Sequence, residues 1–311
     1  MIHKFDALIL GGGAAGLMCA IEAGKRGRRV AVLERADRLG KKILISGGGR
    51  CNFTNLHCSA ENFISANPHF AKSALARYTP EDFIALVEKH HIPYHEKTLG
   101  QLFCDRSARD VLDMLENECR AGGVQLFPNA GINRVMRTEE FVATAADHEF
   151  RAPALVVATG GLSIPRMGAT GFGYDLARQF GLKICETWPG LVPLLFGVED
   201  RRHYSGLAGV SAEVIASCNG RHFREKMLIT HRGLSGPAIL QISSYWRKPE
   251  FISIDLVPQQ AVTVELLEGA SPRNIASLRA ALRRFIPNRF ADRWLDIHGR
   301  VLPRRRCGSG Q

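Results

Sequence analysis

The feature that most constrains the fold is a glycine motif set between an apolar strand and a helix. The apolar run Phe5–Leu10 is followed directly by a G-x-G-x-x-G motif that begins at Gly11, and a helical stretch comes next. A second apolar run, Val30–Leu33, closes with Glu34, 18 residues after the last glycine of the motif. This order predicts a βαβ unit with a parallel sheet and a binding site for an adenine dinucleotide.

The three glycines and the acidic residue each have a physical role in such a site. Gly11 permits the tight turn, Gly13 lets a pyrophosphate approach the backbone, and Gly16 lets the helix pack closely on the strand. The helix N-terminus favours the negative phosphates. Glu34 can accept hydrogen bonds from both hydroxyls of an adenosine ribose and would repel a 2′-phosphate, which favours FAD or NAD over NADP. The alternative is a glycine turn that holds no ligand.

Two further segments favour FAD over a simple NAD dehydrogenase. Ala154–Ala158 is a third buried strand, and it ends at Thr159-Gly160-Gly161. The stretch 39–55 reads as a long loop without periodicity, which is typical of a functional loop. Within it, Gly47, Gly48 and Gly49 can form an anion-binding concavity, Arg50 can pair with phosphate, and Asn52, Thr54 and Asn55 supply polar groups for a ring edge. The alternative is a surface loop stabilised by Asx-turns.

Composition limits the class of protein and its partners. The chain has 311 residues, 45% hydrophobic and 23% charged, which excludes a disordered protein and leaves one large or two ordinary domains. No run of 18 apolar residues and no signal-peptide layout occur, so a soluble, cytoplasmic protein without a membrane span is expected. The net charge of +11 suggests an anionic partner, namely a phosphate cofactor, a nucleic acid or a membrane surface. Residues 1–272 hold 31 basic and 28 acidic side chains, and residues 273–311 hold 10 arginines and 2 acids.

Cysteines and histidines offer candidates for catalysis. None of the eight cysteines forms a C-x-x-C pair, so a zinc ribbon or a thioredoxin-type motif is not indicated and reduced thiols are expected. Cys51 can donate a proton to a substrate carbon, or it is a buried structural thiol. His231 can orient a substrate or donate a proton, or it caps a strand. The group around His90, His91, His95 and Glu96 is either a metal cluster or a helix C-terminus with favourable imidazoles; we predict the second and no metal.

The remaining pattern predicts two structural domains and a tail. Helices are expected from Thr79 to about Lys89 and over Asp105–Arg120. After about residue 190 the segments Ser211–Ser217 and Phe251–Leu256 look antiparallel, Gly236–Tyr245 looks helical, and 271–297 reads as two arginine-bearing helices broken at Pro287. We therefore divide the chain into 1–190, 191–300 and an atypical tail, 301–311. No G-x-S-x-G or Walker A motif is present, which excludes the common hydrolase and P-loop classes.

Five motifs together resemble one bacterial flavoprotein family. They are Gly11–Gly16, Lys41–Asn55 with its Gly-Gly-Gly-Arg-Cys-Asn-Phe-Thr-Asn run, Ala158–Gly161, Gly168–Tyr174 and Thr230–Pro237. This family of FAD-dependent oxidoreductases includes aminoacetone-oxidase-like enzymes, bile-acid-dehydroreductase-like enzymes and the ribosomal RNA dihydrouridine synthases. The resemblance runs from about residue 4 to about residue 297. His95–Asp105 and Asn67–Tyr78 most resemble the enterobacterial rRNA-modifying branch.

The resemblance implies a fold and a chemistry. The fold is a glutathione-reductase-like α/β FAD-binding domain with a Rossmann-type parallel sheet, into which a mainly antiparallel β plus helical substrate domain is inserted. The chemistry is hydride transfer on FAD, with NAD(P)H as the electron donor and, for the RNA branch, uridine in 23S rRNA as the substrate. The alternatives are a small-molecule flavin oxidase or ene-reductase, and a basic RNA-binding fragment without activity. Family members continue beyond this ending and close over the flavin with a glycine-rich segment, which is expected to be absent here.

Motifs and resemblance together predict the site residues. The predicted catalytic residues are Cys51 and His231. Cofactor contacts are expected from three groups of positions: Gly11, Gly13, Ala14, Ala15, Gly16, Glu34 and Arg35; Lys41, Lys42, Ser46, Gly47, Gly48, Gly49, Arg50, Cys51, Asn52 and Thr54; and Val135, Ala158, Thr159 and Gly160. The resemblance also implies that Glu34 would hold the adenosine ribose and that Val135 would lie near the adenine.

Overall fold

The structure is a computed structural model that describes residues 1–258 and 274–299. The chain divides into two compact units, one ending at Cys185 and one beginning at Glu186. Each unit is described by itself below. The predicted tail, 301–311, lies outside the described residues.

The first unit contains a parallel sheet whose strands are the predicted apolar runs. The strands of this unit are β1 Ile2–Lys4, β2 Ala7–Leu10, β3 Val30–Leu33, β4 Asn52–Asn55, β5 Tyr94–Glu96, β6 Gln101–Cys104, β7 Gln125–Phe127, β8 Arg134–Arg137, β9 Phe141–Ala145, β10 His148–Ala152 and β11 Ala154–Val157. The helices are α1 Ala14–Lys25, α2 Lys41–Ile45, α3 Lys72–Arg77, α4 Pro80–Lys89, α5 Ala108–Ala121 and α6 Phe172–Gln179. The parallel sheet has the order β11-β2-β3-β7.

The central strands β2 and β3 are buried on both faces, which explains their unbroken apolar runs. The strand β11, predicted to be buried, is only partly so, because it lies at the edge of this sheet, and Val157 is 44% exposed. On one face, Ile9 and Val32 pack in a core with α1 and α5. On the other face, Leu8 and Leu10 pack in a second core that includes Phe150 of a four-stranded sheet with the order β1-β10-β9-β8. A three-stranded antiparallel sheet, β4-β6-β5, completes this unit. The Rossmann-type prediction is confirmed.

The predicted loop 39–55 is wrong as a description, because it contains short elements. Helix α2 is followed by a turn of 3-10 helix at Ser46–Gly49 and then by β4. Gly47 and Gly48 adopt left-handed φ values of 56° and 68°. A Cβ at Gly47 would lie 2.7 Å from the backbone nitrogen of Asn52, so this reversal requires glycine.

One buried carboxylate joins three helices of the first unit. Glu118 on α5 is 6% exposed, and its Oε1 atom accepts hydrogen bonds from Lys89 Nζ at 2.7 Å and pairs with His90 Nε2 at 2.8 Å, at the end of α4. Lys25 of α1 lies 3.7 Å from its other oxygen. The contacts with Lys89 and His90 lower the pKa of Glu118 to about 2. His90 lies at the C-cap of α4, where the sequence places it, and its imidazole pairs with a carboxylate of α5.

We expect the Glu118→Gln variant to be less stable by about 2 kcal/mol at neutral pH, because the amide cannot replace the charged contacts. The native pKa of Glu118 lies below its ordinary value of 4.5, so its contribution is complete above pH 4.5 and disappears as the pH falls toward 2. Urea unfolding at several pH values measures this difference. The difference in unfolding free energy between wild type and variant should narrow below pH 4.5, whereas Asp113→Asn, at an exposed acid of α5, should cost less than about 1 kcal/mol.

The second unit contains an antiparallel sheet with helices. Its strands are β12 Leu194–Leu195, β13 Ser211–Cys218, β14 Arg221–Ile229, β15 Gly233–Ser235 and β16 Ser253–Asp255, and its described helices are α7 Val198–Tyr204, α8 Pro237–Ser243, α9 Ile275–Leu282 and α10 Asn288–His298. The sheet order is β12-β15-β14-β13-β16, with every pair antiparallel. The predicted helix break at Pro287 is confirmed.

Arginines of α9 and α10 hold helices together. Arg283 makes two hydrogen bonds to Asp292, at 2.8 and 2.7 Å, and Arg279 contacts Asp296 at 3.0 Å. On α10, Arg293 donates to the carbonyl of His203 at 2.6 Å, next to α7. These guanidinium groups are engaged within the unit, so the basic charge of this region is partly structural. No helix of the described residues is long and apolar enough to cross a membrane.

Candidate functional site

A cavity of about 800 Å³ lies at the carboxyl edge of the parallel sheet. Gly11 follows β2, Glu34 follows β3 and Ala158 follows β11, and all three residues line the cavity. The carboxyl edge of such a sheet is where α/β proteins bind their ligands. The sheet therefore brings the separate sequence motifs to one place.

The glycines of the motif differ in what surrounds them. A Cβ at Gly11, where φ is +109°, would lie 2.4 Å from the carbonyl oxygen of Ala158, and one at Gly16 would lie 1.9 Å from that of Gly11. A Cβ at Gly13 would meet no heavy atom within 4 Å. Gly11 and Gly16 therefore allow close packing inside the protein, whereas Gly13 borders open space in the cavity wall. This is the arrangement that a pyrophosphate requires.

The helix N-terminus at this point is suited to an anion. Gly13 is the N-cap of α1, no side chain caps the helix, and its first turn holds no acidic residue. The first backbone N–H groups and the helix dipole are therefore available to phosphate oxygens. Lys42 also lines the cavity, and its Nζ donates to Ser163 Oγ at 2.9 Å.

Glu34 is fixed at the end of β3 by two backbone donors. Its Oε2 accepts a hydrogen bond from the N–H of Gly12 at 2.7 Å, and its Oε1 accepts one from the N–H of Ala36 at 2.7 Å. Each carboxylate oxygen retains a lone pair. A held carboxylate at this edge suits the two hydroxyls of an adenosine ribose. The glycine turn, the helix N-terminus and Glu34 together fit FAD.

We expect the Glu34→Gln variant to bind FAD about 10- to 100-fold more weakly, because an amide nitrogen can accept no hydrogen bond from the backbone or the ribose. Titration of the protein against FAD fluorescence measures the affinity. Glu22→Gln, an exposed acid on α1, is the matched control and should bind FAD as the wild type does. An unchanged affinity of Glu34→Gln for FAD would show that Glu34 does not bind the adenosine ribose.

Cys51 lies in the cavity wall in an unusual backbone conformation. Its φ is +49°, which costs energy for any residue other than glycine, and its side chain is 6% exposed. Burial raises the pKa of the Cys51 thiol, and a hydrogen bond with Ser46 partly opposes this effect. The thiol therefore keeps its proton at neutral pH. Cys104 is fully buried nearby, and burial raises its pKa to about 12.

The structure brings many of the predicted cofactor residues together. Those that line the cavity are Gly11, Gly13, Ala14, Ala15, Glu34, Lys41, Lys42, Ser46, Cys51, Asn52, Ala158, Thr159 and Gly160. Gly16 lies behind the wall, packed against Gly11. The cofactor roles of these residues stay predictions.

Other predicted residues do not line the cavity. These are Arg35, Gly47, Gly48, Gly49, Arg50, Thr54 and Val135. The three glycines form the reversal that returns the chain to Cys51 and Asn52, so they shape the wall from behind. Val135 is 3% exposed because its side chain belongs to the core under β8.

Several residues of the wall were missed from the sequence. An apolar part of the wall is formed by Met18, Phe53, Phe83, Val111 and Leu115. Met167, Gly168, Ala169, Gly173 and Tyr174 also line it. Apart from Met167, the second group lies in the Gly168–Tyr174 motif, to which no role in the site was assigned from the sequence. The first group looks like ordinary core positions of helices and strands, so no sequence signal singled it out.

His231 lies in the second unit, on the turn between β14 and β15. The Thr230 hydroxyl accepts hydrogen bonds from the N–H groups of Arg232 at 3.2 Å and Gly233 at 3.1 Å, and it donates to the carbonyl of Gly233 at 2.9 Å. Thr230, and not His231, therefore stabilises the turn. The His231 side chain is exposed and makes no hydrogen bond within the described residues.

Two of the other histidine candidates have carboxylate partners, whereas the exposed His91 makes no side-chain hydrogen bond within the described residues. His95 Nδ1 lies 2.6 Å from Asp105 Oδ1 across the β5–β6 pair, and His90 contacts Glu118 as described above. Among residues 1–258 and 274–299, no group of three or more histidine, cysteine, aspartate or glutamate side chains is placed to hold a metal ion.

Comparison with known proteins places the chain in a family. The "HI0933-like protein Rossmann domain" matches residues 5–245. The chain belongs to the HI0933-like protein family. A second part of this family description, the "HI0933-like protein barrel and H2TH domain", matches residues 188–309. The predicted resemblance and the FAD-binding Rossmann fold are thereby confirmed.

Three curated relatives are similar over much of the chain. The ribosomal RNA dihydrouridine synthase of Escherichia coli is 48% identical over 94% of this chain and 74% of its own length. Its counterpart of the same name from Haemophilus influenzae is 42% identical over 95% and 75%. The 3-dehydro-bile acid delta(4,6)-reductase of Clostridium scindens is 31% identical over 81% and 64%. The chain is a flavin-dependent oxidoreductase, as predicted.

Proposed function

We propose that this protein reduces uridine to dihydrouridine in 23S rRNA with FAD as its cofactor. The observation that carries the proposal is the 48% identity, over 94% of the chain, with the Escherichia coli ribosomal RNA dihydrouridine synthase. The cavity at the carboxyl edge of the sheet supports the cofactor part, because its glycines, helix N-terminus and held carboxylate suit an adenine dinucleotide. The electron donor in this proposal is NADH or NADPH.

In this proposal the residues of the first unit bind and orient the cofactor. Gly13 and the N-terminus of α1 face the pyrophosphate, Lys42 adds positive charge, and Glu34 accepts from the ribose hydroxyls. The bound flavin supplies a hydride for one carbon of the uracil C5–C6 double bond. The apolar side chains of Phe53 and Phe83 line the same cavity and disfavour water beside them.

Reduction of the double bond also needs a proton for the other carbon, and we assign its donation to Cys51. The thiol lines the cavity, and its raised pKa keeps the S–H bond intact at neutral pH. After donation, the thiolate takes a proton from water, which restores the thiol. His231 has the role of orienting the RNA substrate, and residues 191–300 form the substrate domain to which it belongs.

The test uses rRNA from a strain in which the gene for this protein is deleted. Mass spectrometry of nuclease digests should show that dihydrouridine is lost from 23S rRNA and returns when the gene is supplied on a plasmid. The control plasmid carries the Gly13→Asp variant, which is expected to bind no FAD. If dihydrouridine persisted in the 23S rRNA of the deletion strain, this RNA would not be the substrate of the protein.

A small-molecule flavin enzyme is the second candidate. The 31% identity with the Clostridium scindens 3-dehydro-bile acid delta(4,6)-reductase favours it. An ene-reductase of this kind would oxidise NAD(P)H with a small unsaturated ketone, and an amine oxidase would turn over aminoacetone with release of peroxide. Either activity at a high rate, together with normal dihydrouridine in the deletion strain, would favour this candidate.

A further inference from the structure

Residues 56–78 of the first unit form an exposed segment, called the excursion below. None of them lines the cavity described above. Ala71 is the only buried residue within this range, which the structure describes in full, and residues 61–70 are all exposed. A segment of this length usually buries some apolar side chains in the core beneath it. This one buries almost none, so its side chains are available to a partner.

The excursion lies in the chain between two elements that contribute to the cavity wall, although none of residues 56–78 lines the cavity itself. It follows β4, which carries Phe53, and leads into α4, which carries Phe83. Both rings line the cavity, and their centroids lie 6.0 Å apart. Any large substrate whose reacting group enters the cavity therefore has this segment within reach of its flanking parts.

Short-range hydrogen bonds organise the excursion. Ser59 and Asn62 form a capping box around a turn of 3-10 helix, and the N–H of His69 donates to the side chain of Asn67 at 3.0 Å. Two aromatic rings remain in solvent, with Phe63 45% exposed and Phe70 69% exposed. Large rings held in water by a locally ordered segment are typical of a surface that binds a partner.

The charge of the excursion selects an anionic partner. It carries Lys72 and Arg77 against one acid, Glu61. Within the described residues, neither Lys72 nor Arg77 has a salt bridge. By contrast, several exposed cations elsewhere in this unit are paired, among them Arg106 with Asp110, Arg109 with Asp113 and Arg120 with Glu116. Aromatic rings interleaved with unpaired cations are the combination that binds single-stranded nucleic acid.

We propose that the 56–78 excursion is a binding platform for single-stranded RNA on either side of the reacting uridine. Phe63 and Phe70 stack on bases, and Lys72 and Arg77 contact phosphates. This inference rests on the proposed function, because it assigns the recognition of the RNA that the cavity then reduces.

The experiment measures binding of a fluorescently labelled single-stranded RNA to the FAD-loaded protein by anisotropy. We expect Phe70→Ala and Phe63→Ala each to weaken binding about 5- to 100-fold. The plot of log K against log salt concentration has a negative slope, and the Lys72→Gln/Arg77→Gln double variant should make this slope less steep by about 1.4. Leu182→Ala, at a position 63% exposed in the first unit, and Lys4→Gln, on β1, are the controls and should bind RNA as the wild type does.

Further measurements on the same proteins separate the explanations. FAD content, reduction of the flavin by NADH and thermal unfolding should be unchanged in Phe70→Ala, whose ring packs little against the protein. The proposal would be overturned if all three platform variants bound RNA with the affinity of the wild type. It would also be overturned if the variants changed the oligomeric state and left the RNA affinity unchanged. That result would assign the two rings to a contact with a second copy of the chain. Dihydrouridine formation by the wild type is scored separately: if it occurs while the variants bind RNA normally, only the platform is wrong, and if it is absent, the proposed function is wrong.

Discussion

Replacing Gly13 with aspartate should abolish FAD binding and leave the protein folded. The Cβ at this position would enter open space in the cavity wall, and the φ of Gly13 is −86°, which any residue can adopt. Aspartate is also a favourable N-cap for α1. Its carboxylate would lie where the pyrophosphate binds, and two like charges about 4 Å apart repel by about 4 kcal/mol near a protein surface, or about 1000-fold in affinity.

The measurement for Gly13→Asp is FAD titration together with thermal unfolding of the FAD-free protein. Gly206→Asp is the matched control, because a Cβ at Gly206 also meets no heavy atom within 4 Å but this residue lies in the second unit. Gly16→Ala is the opposite case. Its Cβ would clash with the carbonyl of Gly11, so we expect loss of both FAD binding and stability. Normal FAD affinity in Gly13→Asp would show that the pyrophosphate lies elsewhere.

Removing the Cys51 thiol should lower the rate of uridine reduction by about 100- to 10,000-fold without loss of FAD, because the second carbon then lacks its proton donor. Cys51→Gly is the informative variant. The residue has a φ of +49°, so the backbone strain that glycine relieves offsets part of the cost of removing a buried side chain, and the free energy of unfolding is measured beside the rate. A large loss of rate in a protein that is no less stable cannot be a folding effect. Single-turnover reduction of rRNA measures the chemical step.

The control for Cys51 is Cys104→Ala, since Cys104 is buried but does not line the cavity. This variant should lose stability and keep the rate. The wild-type rate should also decline only above pH 9, because burial raises the pKa of Cys51 above that ordinary value and the donor is lost when the thiol ionises. If Cys51→Gly reduced uridine at a rate within about twofold of the wild-type rate, Cys51 would not be the proton donor.

The parts of the fold that could be predicted from the sequence are those encoded locally. The run of glycines at 11, 13 and 16 between an apolar strand and a helix defines the turn, and Glu34 is placed because the next strand is parallel and ends at the same edge. The cap at Thr79 and the break at Pro287 are local in the same way.

What could not be predicted depends on contacts between distant segments. A Cβ at Gly47 would lie 2.8 Å from the ring of Phe103, 56 residues later, and nothing in the sequence indicates this contact. Phe53 and Phe83 meet at the cavity wall only because β4 and α4 pack together. The arginines of α9 and α10 suggested an anionic partner by their number, whereas Arg283 and Arg293 are engaged with Asp292 and the carbonyl of His203.

The central claim is that a flavin bound by this chain reduces uridine in 23S rRNA. The direct measurement loads the protein with FAD, reduces the flavin with NADH without oxygen, removes excess donor and adds 23S rRNA from the deletion strain. We predict that the flavin absorbance returns and that one dihydrouridine forms for each flavin reoxidised. A flavin that stays reduced in the presence of this rRNA, in a protein that oxidises aminoacetone with release of peroxide, would contradict the account.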